Sequence, residues 1–212
     1  MSAPVQPVGG RAKRAFDLAL TVPTLVILSP VLVGLAVWIR RDSPGPALFR
    51  QTRVGYAGKP FRVFKFRSMI LDAESKGAGL RVTSGDDRIT ASGRVLRRLS
   101  LDELPQLINV ALGDMSLVGP RPTVPAQVER YTECQRRRLL ARPGLTGLAQ
   151  VRGRNAIPWS QRIEIDVEYV ERWSLRRDLG ILARTVMVVL GRGQTYDDQA
   201  PVFDLPAKDT DG

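Results

Sequence analysis

Between Leu18 and Ile39 the chain reads LALTVPTLVILSPVLVGLAVWI, without a single charged side chain. As one helix this run rises about 33 Å, enough to cross a hydrocarbon core of about 30 Å. Such a segment must lie in a bilayer or at the centre of a protein core. It is apolar on every side, whereas a core-facing surface helix carries one apolar stripe. A membrane segment is therefore favoured, with a buried core helix as the alternative. The run is too long for a cleaved leader, and no small-residue cleavage site accompanies it.

The flanks restrict the topology further. Arg11, Lys13 and Arg14 precede the run, and Arg40 and Arg41 follow it at once. Positive residues favour the cytoplasmic side, so both ends ask for the same face. Ser29-Pro30 sits near the middle, where proline removes a helical hydrogen bond and clashes with the preceding turn. Pro23 offers a second bend. The freed carbonyls then need partners, such as the Ser29 hydroxyl or a neighbouring helix. Two topologies stay open on the residues alone: a helix that enters, bends and returns, and a kinked span.

At 212 residues the chain suits one domain. Its formal charge of +11 favours anionic partners: nucleic acid, acidic lipids or phosphorylated small molecules. Cys134 is the only cysteine and there is no histidine, so an intrachain disulfide, an imidazole base and a protein-built zinc centre are all set aside. Acid–base work falls to Asp, Glu, Lys or Tyr, and a catalytic metal should be a hard, oxygen-bound ion such as Mg²⁺.

After the apolar run, Ala47–Val54 and Phe61–Met69 are rich in β-formers and flank the turn residues Gly55 to Pro60, which predicts a β-hairpin. Phe64 and Phe66 share one face of it, Lys65 and Arg67 the other. Residues 72–93 read as a polar loop. A helix is expected from the acid pair Asp102-Glu103 to about Leu112, followed by a tight connection, GDMSLVGPRP. Another is expected over Gln127–Leu140, stopped by Pro143 and Gly144. Ser160 can cap a third, which carries Ile163, Val167, Val170 and Trp173 on one side. A last apolar helix around Leu179–Leu190, near Arg176, Arg177 and Arg192, suits either a membrane interface or the core. Residues after Gly193 read as a loosely ordered tail.

The acid pair itself has two readings. Ser100-Leu101-Asp102-Glu103 matches a capping box, S-x-x-E, ahead of an apolar run. A cap uses one carboxylate and leaves Asp102 unexplained, and Pro105 sits where such a helix needs a donor. An ionised Asp can hold a metal or serve as nucleophile towards a phosphoryl group. No P-loop and no G-x-G-x-x-G is present, so a phosphate would rest on Lys and Arg. Lys65, Arg67, Arg97, Arg121 and Arg142 are the candidates.

Five stretches in order, KRAFDLAL…LSP, SPGPALFRQTRVGYAGKPFRVFKFRSM, LRRLSLDELPQLINVALGDMSLVGPRP, RPGLTGLAQVRGRNAIPW and EIDVEYVERWSLRRDL, resemble the bacterial monotopic phosphoglycosyl transferases in their minimal catalytic form. The resemblance covers roughly residues 11–190. It implies an α+β, mostly helical fold in a single domain: a re-entrant membrane segment over 11–41 broken at Ser29-Pro30, a catalytic body over 42–192 with a small β-hairpin and interfacial amphipathic helices, and a tail over 193–212. It also implies transfer of a sugar-1-phosphate from a UDP-sugar to polyprenyl phosphate, with release of UMP. Asp102 would be the nucleophile, Glu103 a metal ligand or base, and Mg²⁺ the cofactor. Lys65, Arg67, Arg97, Arg121, Arg142, Arg154 and Asn155 fall in its substrate-binding stretches. The setting would be the bacterial inner membrane, among its lipids, with the body facing the cytoplasm. Nucleic acid is not an expected partner, and a homodimer is left open. The sugar is not disclosed; GRNAI, Gly153–Ile157, resembles members that handle N-acetylated amino sugars. The rival readings are a non-catalytic basic module bound to anionic head groups and, less well matched, a nucleic-acid binder.

Overall fold

A computed structural model describes residues 6–75, 85–153 and 157–191 of the chain. Its first element, α1, runs over Gly10–Asp42 as one helix of 33 residues, with Pro23 and Pro30 inside it. The expected break at Ser29-Pro30 is not a break in the helix. Pro30 cannot donate to the carbonyl of Val26, and the Ser29 hydroxyl takes that carbonyl instead, at 2.8 Å. Among the described residues this is the one helix long and apolar enough to cross a membrane.

Both ends of α1 are tied to the rest of the molecule. Near its start, Lys13 Nζ meets Asp178 Oδ2 at 2.5 Å. Asp17 Oδ1 accepts from the Ser116 hydroxyl and the Leu117 amide at 3.0 and 3.1 Å. Near its end Ile39 is buried with Phe66 and Leu96, and Asp42 accepts from the amide and hydroxyl of Ser92 at 3.0 and 2.8 Å. Between these anchors Val22, Val26, Ile27, Val31 and Val33 stand exposed.

The hairpin is present as β1 (Leu48–Val54) and β2 (Pro60–Phe66), antiparallel with Leu48 opposite Phe66 and Val54 opposite Pro60. A short helix α2 (Ala91–Arg98) begins inside the stretch read as loop. Its signal is Thr90, which caps it by accepting from the Gly93 amide at 3.0 Å. A 3₁₀ turn over Leu101–Glu103 then leads into α3 (Gln106–Leu112).

Next come β3 (Ser116–Val118) and β4 (Gly144–Thr146), a parallel pair that the sequence reading missed. Glycines make it possible: a Cβ on Gly119 would lie 2.3 Å from the carbonyl oxygen of Arg142. The expected helix over Gln127–Leu140 is instead three pieces: α4 (Pro125–Val128), α5 (Glu133–Arg136) and a 3₁₀ turn over Arg137–Leu140. A capping box of Thr132 and Gln135 starts a new helix and so ends the old one. After α6 (Leu148–Arg152), α7 (Trp159–Glu171) starts behind Pro158, with Ser160 inside its first turn rather than capping it. Helix α8 (Leu175–Gly191) begins earlier than expected.

The main core gathers Val63 of β2, Leu107 and Val110 of α3, Met115, Val118, Tyr169 and Ile181. It forms because α3, α7 and α8 each bury one face against the strands. Ile163, Val167 and Val170 of α7 are inside as expected. Helix α8 turns Asp178 and Ile181 inward and leaves Leu179, Val186 and Met187 exposed. Residues 193–212 lie outside the described residues.

Candidate active site

The capping box expected at Ser100 does not form. Ser100 sits in the left-handed region (φ 57°) and its side chain makes no cap. Proline explains this: Pro105 has no N–H for the Leu101 carbonyl, and Leu104 closes the turn on that carbonyl at 3.2 Å. The acid pair is thereby held in a 3₁₀ turn just before α3. This turn packs on β2 and α2, which supply Lys65 and Arg97, and Arg121 reaches it from the connection after β3.

The two carboxylates meet different surroundings. Glu103 Oε1 accepts from Lys65 Nζ at 2.9 Å and from Arg121 Nη2 at 2.8 Å. Burial pushes its carboxyl up, but Arg121 and Lys65 outweigh that and hold it well below the usual carboxylate range. Asp102 is 7% exposed, and its Oδ1 has no hydrogen-bond partner among the described residues. Burial, helped by the Glu103 charge, raises its pKa from 3.8 to about 6 against the pull of Lys65, Arg97 and Arg121. Glu103 is a pinned anion; Asp102 is a carboxyl with a spare oxygen.

The candidate cations divide clearly. Lys65 and Arg121 are at the pair, and the field of Arg97 reaches Asp102; the Arg97 guanidinium also donates to the Ser68 hydroxyl at 3.4 Å. Arg67 is not brought there. It is buried, donating to the carbonyls of Pro44 and, at 2.7 Å, Ser43, and so closes the end of α1. Arg142 lies within the field of Arg14 and Asp17, near the start of α1, and burial is the first cause of its lowered pKa. Ser29 and Pro30 are both exposed in the middle of α1. Arg154 and Asn155 lie outside the described residues.

Sequence reasoning missed the supports. Asn109, fully buried, grips the free edge of β2: its Oδ1 accepts from the Phe64 amide at 2.9 Å and its Nδ2 donates to the Arg62 carbonyl at 2.7 Å. That fixes the strand from which Lys65 reaches Glu103. Arg138, 2% exposed, donates to Asp166 Oδ2 at 2.5 Å, to the Tyr131 hydroxyl at 2.7 Å and to the Arg121 carbonyl at 2.9 Å. It thus clamps the backbone that presents Arg121.

Two adjacent carboxylates amid cations, without histidine, suit chemistry on a phosphoryl group held by its charge. Comparison with known proteins agrees in kind. Residues 8–192 match the family model described as bacterial sugar transferase. The chain is 46% identical over 178 residues to the uncharacterized sugar transferase EpsL of Bacillus subtilis, covering 84% of this chain and 87% of that protein. It is 45% identical over 192 residues to the UDP-glucose:undecaprenyl-phosphate glucose-1-phosphate transferase of Caulobacter vibrioides, covering 87% and 72%. Identity to the undecaprenyl-phosphate galactose phosphotransferase of Salmonella typhimurium is 43% over 198 residues, covering 87% of this chain and 41% of that protein. The chain is a transferase and belongs to the bacterial sugar transferase family.

Proposed function

We propose that this protein transfers a sugar-1-phosphate from a UDP-sugar to polyprenyl phosphate through a covalent intermediate on Asp102. The observation that carries the reading is the inequality of the acid pair: Glu103 is held by two cations, while Asp102 keeps a buried oxygen without a partner. A nucleophile needs such a lone pair, and an anion needs nearby cations to approach a diphosphate. Asp102 attacks the sugar-bearing phosphorus, a new O–P bond forms, and the bond to UMP breaks with its electron pair leaving on UMP. Lys65 and Arg121, already at the site, stabilise the spreading charge. An oxygen of the polyprenyl phosphate dianion then attacks the same phosphorus, and the bond to Asp102 breaks with its electron pair returning to the Asp102 carboxylate.

The residues fit a divalent cation of the Mg²⁺ type. No cluster of three or more acidic, Cys or His side chains occurs among the described residues, but Mg²⁺ keeps several waters and needs only one or two carboxylates besides substrate phosphates. Asp102 and Glu103 would hold it, the spare Asp102 oxygen being the natural donor. When bound, it neutralises charge on the diphosphate.

The reading also places the protein in one leaflet, body to the cytoplasm. Both ends of α1 are tied to one body through Lys13–Asp178 and Asp42–Ser92, while its middle exposes apolar side chains. A helix held so favours entering and returning over crossing. With Cys134 replaced by Ser, single cysteines at Arg11 and at Arg41 should both label from the cytoplasmic side only; labelling from opposite sides would sink this topology.

For the chemistry, incubation with UDP-sugar and Mg²⁺ without lipid should release UMP stoichiometric with enzyme. The intact protein should gain the mass of one sugar phosphate. Turnover of lipid substrate with no mass gain in any trapped sample would end the covalent reading.

A further inference from the structure

Helix α3 is built inside out. Its residues Gln106–Leu112, with Leu104 just before them, divide into two faces at about 100° per residue. Gln106, Leu107, Asn109 and Val110 are buried. Ile108 and Leu112 are 36% and 66% exposed, and Leu104 and Ala111 are half-buried. The inward face thus carries two primary amides, and the outward face carries no polar side chain. A surface helix in water runs the other way, apolar in and polar out. Single exposed leucines are ordinary, but a short helix that hides its polar side chains and shows apolar ones suits a surface that meets hydrocarbon.

The two ends of this face say which hydrocarbon. Leu104, Ile108 and Leu112 stand four residues apart, so they line one side of the winding over about 12 Å. At its head, Leu104 directly follows Glu103, on which Lys65 and Arg121 converge. At its foot, Arg14 donates to the carbonyls of Val110 and Ala111, which ties the end of α3 to the start of α1. The stripe therefore runs from a cluster of cations to the base of the long apolar helix. A ligand complementary to it carries phosphate at one end and an apolar chain at the other. Of the lipids so made, the acceptor of the transfer is the one whose phosphate must reach Asp102.

We propose that the outward face of α3, through Leu104, Ile108 and Leu112, is the track on which the first isoprene units of the polyprenyl phosphate acceptor lie, with its phosphate at Lys65 and Arg121. This rests on the phosphosugar-transfer reading above. Laying the chain on the stripe removes apolar surface of both partners from water and fixes the line along which the phosphate oxygen approaches. The UDP-sugar has no such chain and gains nothing from the stripe. The face therefore serves the second half of the reaction and not the first.

The test compares the wild type with Ile108→Gln, Leu112→Gln and the double variant; glutamine keeps the helix propensity and removes the apolar face. UMP release and intact mass are measured with UDP-sugar alone, next to the KM for full-length polyprenyl phosphate. Flotation with vesicles of anionic phospholipid and the oligomeric state are followed in parallel. Each change should raise the KM for polyprenyl phosphate about tenfold, and the two together about 100-fold. Adduct formation, flotation and oligomeric state should stay as in the wild type. A double variant whose KM is that of the wild type overturns the inference. A rise in KM that comes with lost flotation assigns the stripe to bulk lipid, one that comes with a changed oligomeric state assigns it to a second copy, and either overturns it. Adduct formation slowed as much as transfer overturns it too, by making the stripe structural. Should the double variant fail to fold, Ile108→Ala with Leu112→Ala replaces it under the same measurements, with KM expected to rise about tenfold. A wild type that transfers nothing to polyprenyl phosphate removes the functional reading and this inference with it; an unchanged KM removes the stripe alone.

Discussion

Two buried acid–base clusters lie on either side of Arg121, and they are built on opposite rules. At Arg138–Asp166, one acid meets one base, and the guanidinium spends its remaining donors on Tyr131 and the Arg121 carbonyl. At Asp102–Glu103, two acids stand together, both cations in contact go to Glu103, and Asp102 keeps an oxygen for which the fold provides nothing. The first cluster is closed and rigid. The second is left incomplete, which costs stability and is useful only if a ligand completes it. Buried charge by itself does not mark a site; the unbalanced remainder does.

Asp102→Asn should break the contrast most sharply. The amide keeps the shape and removes the attacking anion, so adduct and turnover should fall by at least about 1000-fold. The same change should raise stability. The folded pKa of about 6 lies above the ordinary 3.8, so the stability tied to the neutral carboxyl is complete below about pH 4 and lost as pH rises through 6. Asn is neutral throughout. In the absence of substrate and metal, the variant should gain up to about 3 kcal/mol at pH 8 and less than about 1 kcal/mol at pH 4. Denaturant titrations at the two pH values check this, and equal stability at both would mean that Asp102 carries no such cost.

Arg138→Leu should do the reverse. It strands Asp166 as an unpaired buried carboxylate and should cost about 3–5 kcal/mol, read as a lowered denaturation midpoint. Activity should fall too, through the released backbone of Arg121. A stable Arg138→Leu protein would erase the distinction between the clusters.

Glu103→Gln gives the smallest and most specific effect. The acid limb of the adduct-formation rate should lie near pH 6 in the wild type. Part of that value comes from the Glu103 charge, so removing the charge lowers the Asp102 pKa and should move the limb to lower pH. A limb that stays in place would assign it to another group.

The acid pair was legible in the sequence because adjacent carboxylates amid basic residues are a local pattern, and the apolar run and the hairpin were legible for the same reason. Other local signals existed and were outvoted: Thr132 and Gln135 announce a new helix, and Thr90 announces α2. The capping box at Ser100 was a pattern defeated by one residue, since Pro105 denies Leu101 the bond an α-helix needs. What no local pattern could give is the function of Asn109, Arg138 and Arg67. Their partners on β2, on α7 and at the end of α1 lie 47, 28 and 24 residues away, and any polar residue on those helices and strands reads alike until the chain folds.

The tie between Lys13 and Asp178 has a consequence in the order of synthesis. The two are 165 residues apart, and at about 5–20 residues per second a ribosome needs roughly ten to thirty seconds to make the second after the first. Until Ser92 and Ser116 follow, α1 has none of its polar anchors, and until Asp178 follows it lacks the tie to Lys13. Its early partners are lipid and the insertion machinery. Whichever way the helix settles must then be decided before its anchors exist. The instructions for that decision have to be carried by the segment itself, in Arg11, Lys13, Arg14, Arg40 and Arg41 and in the prolines between them, and the later contacts can only lock the outcome.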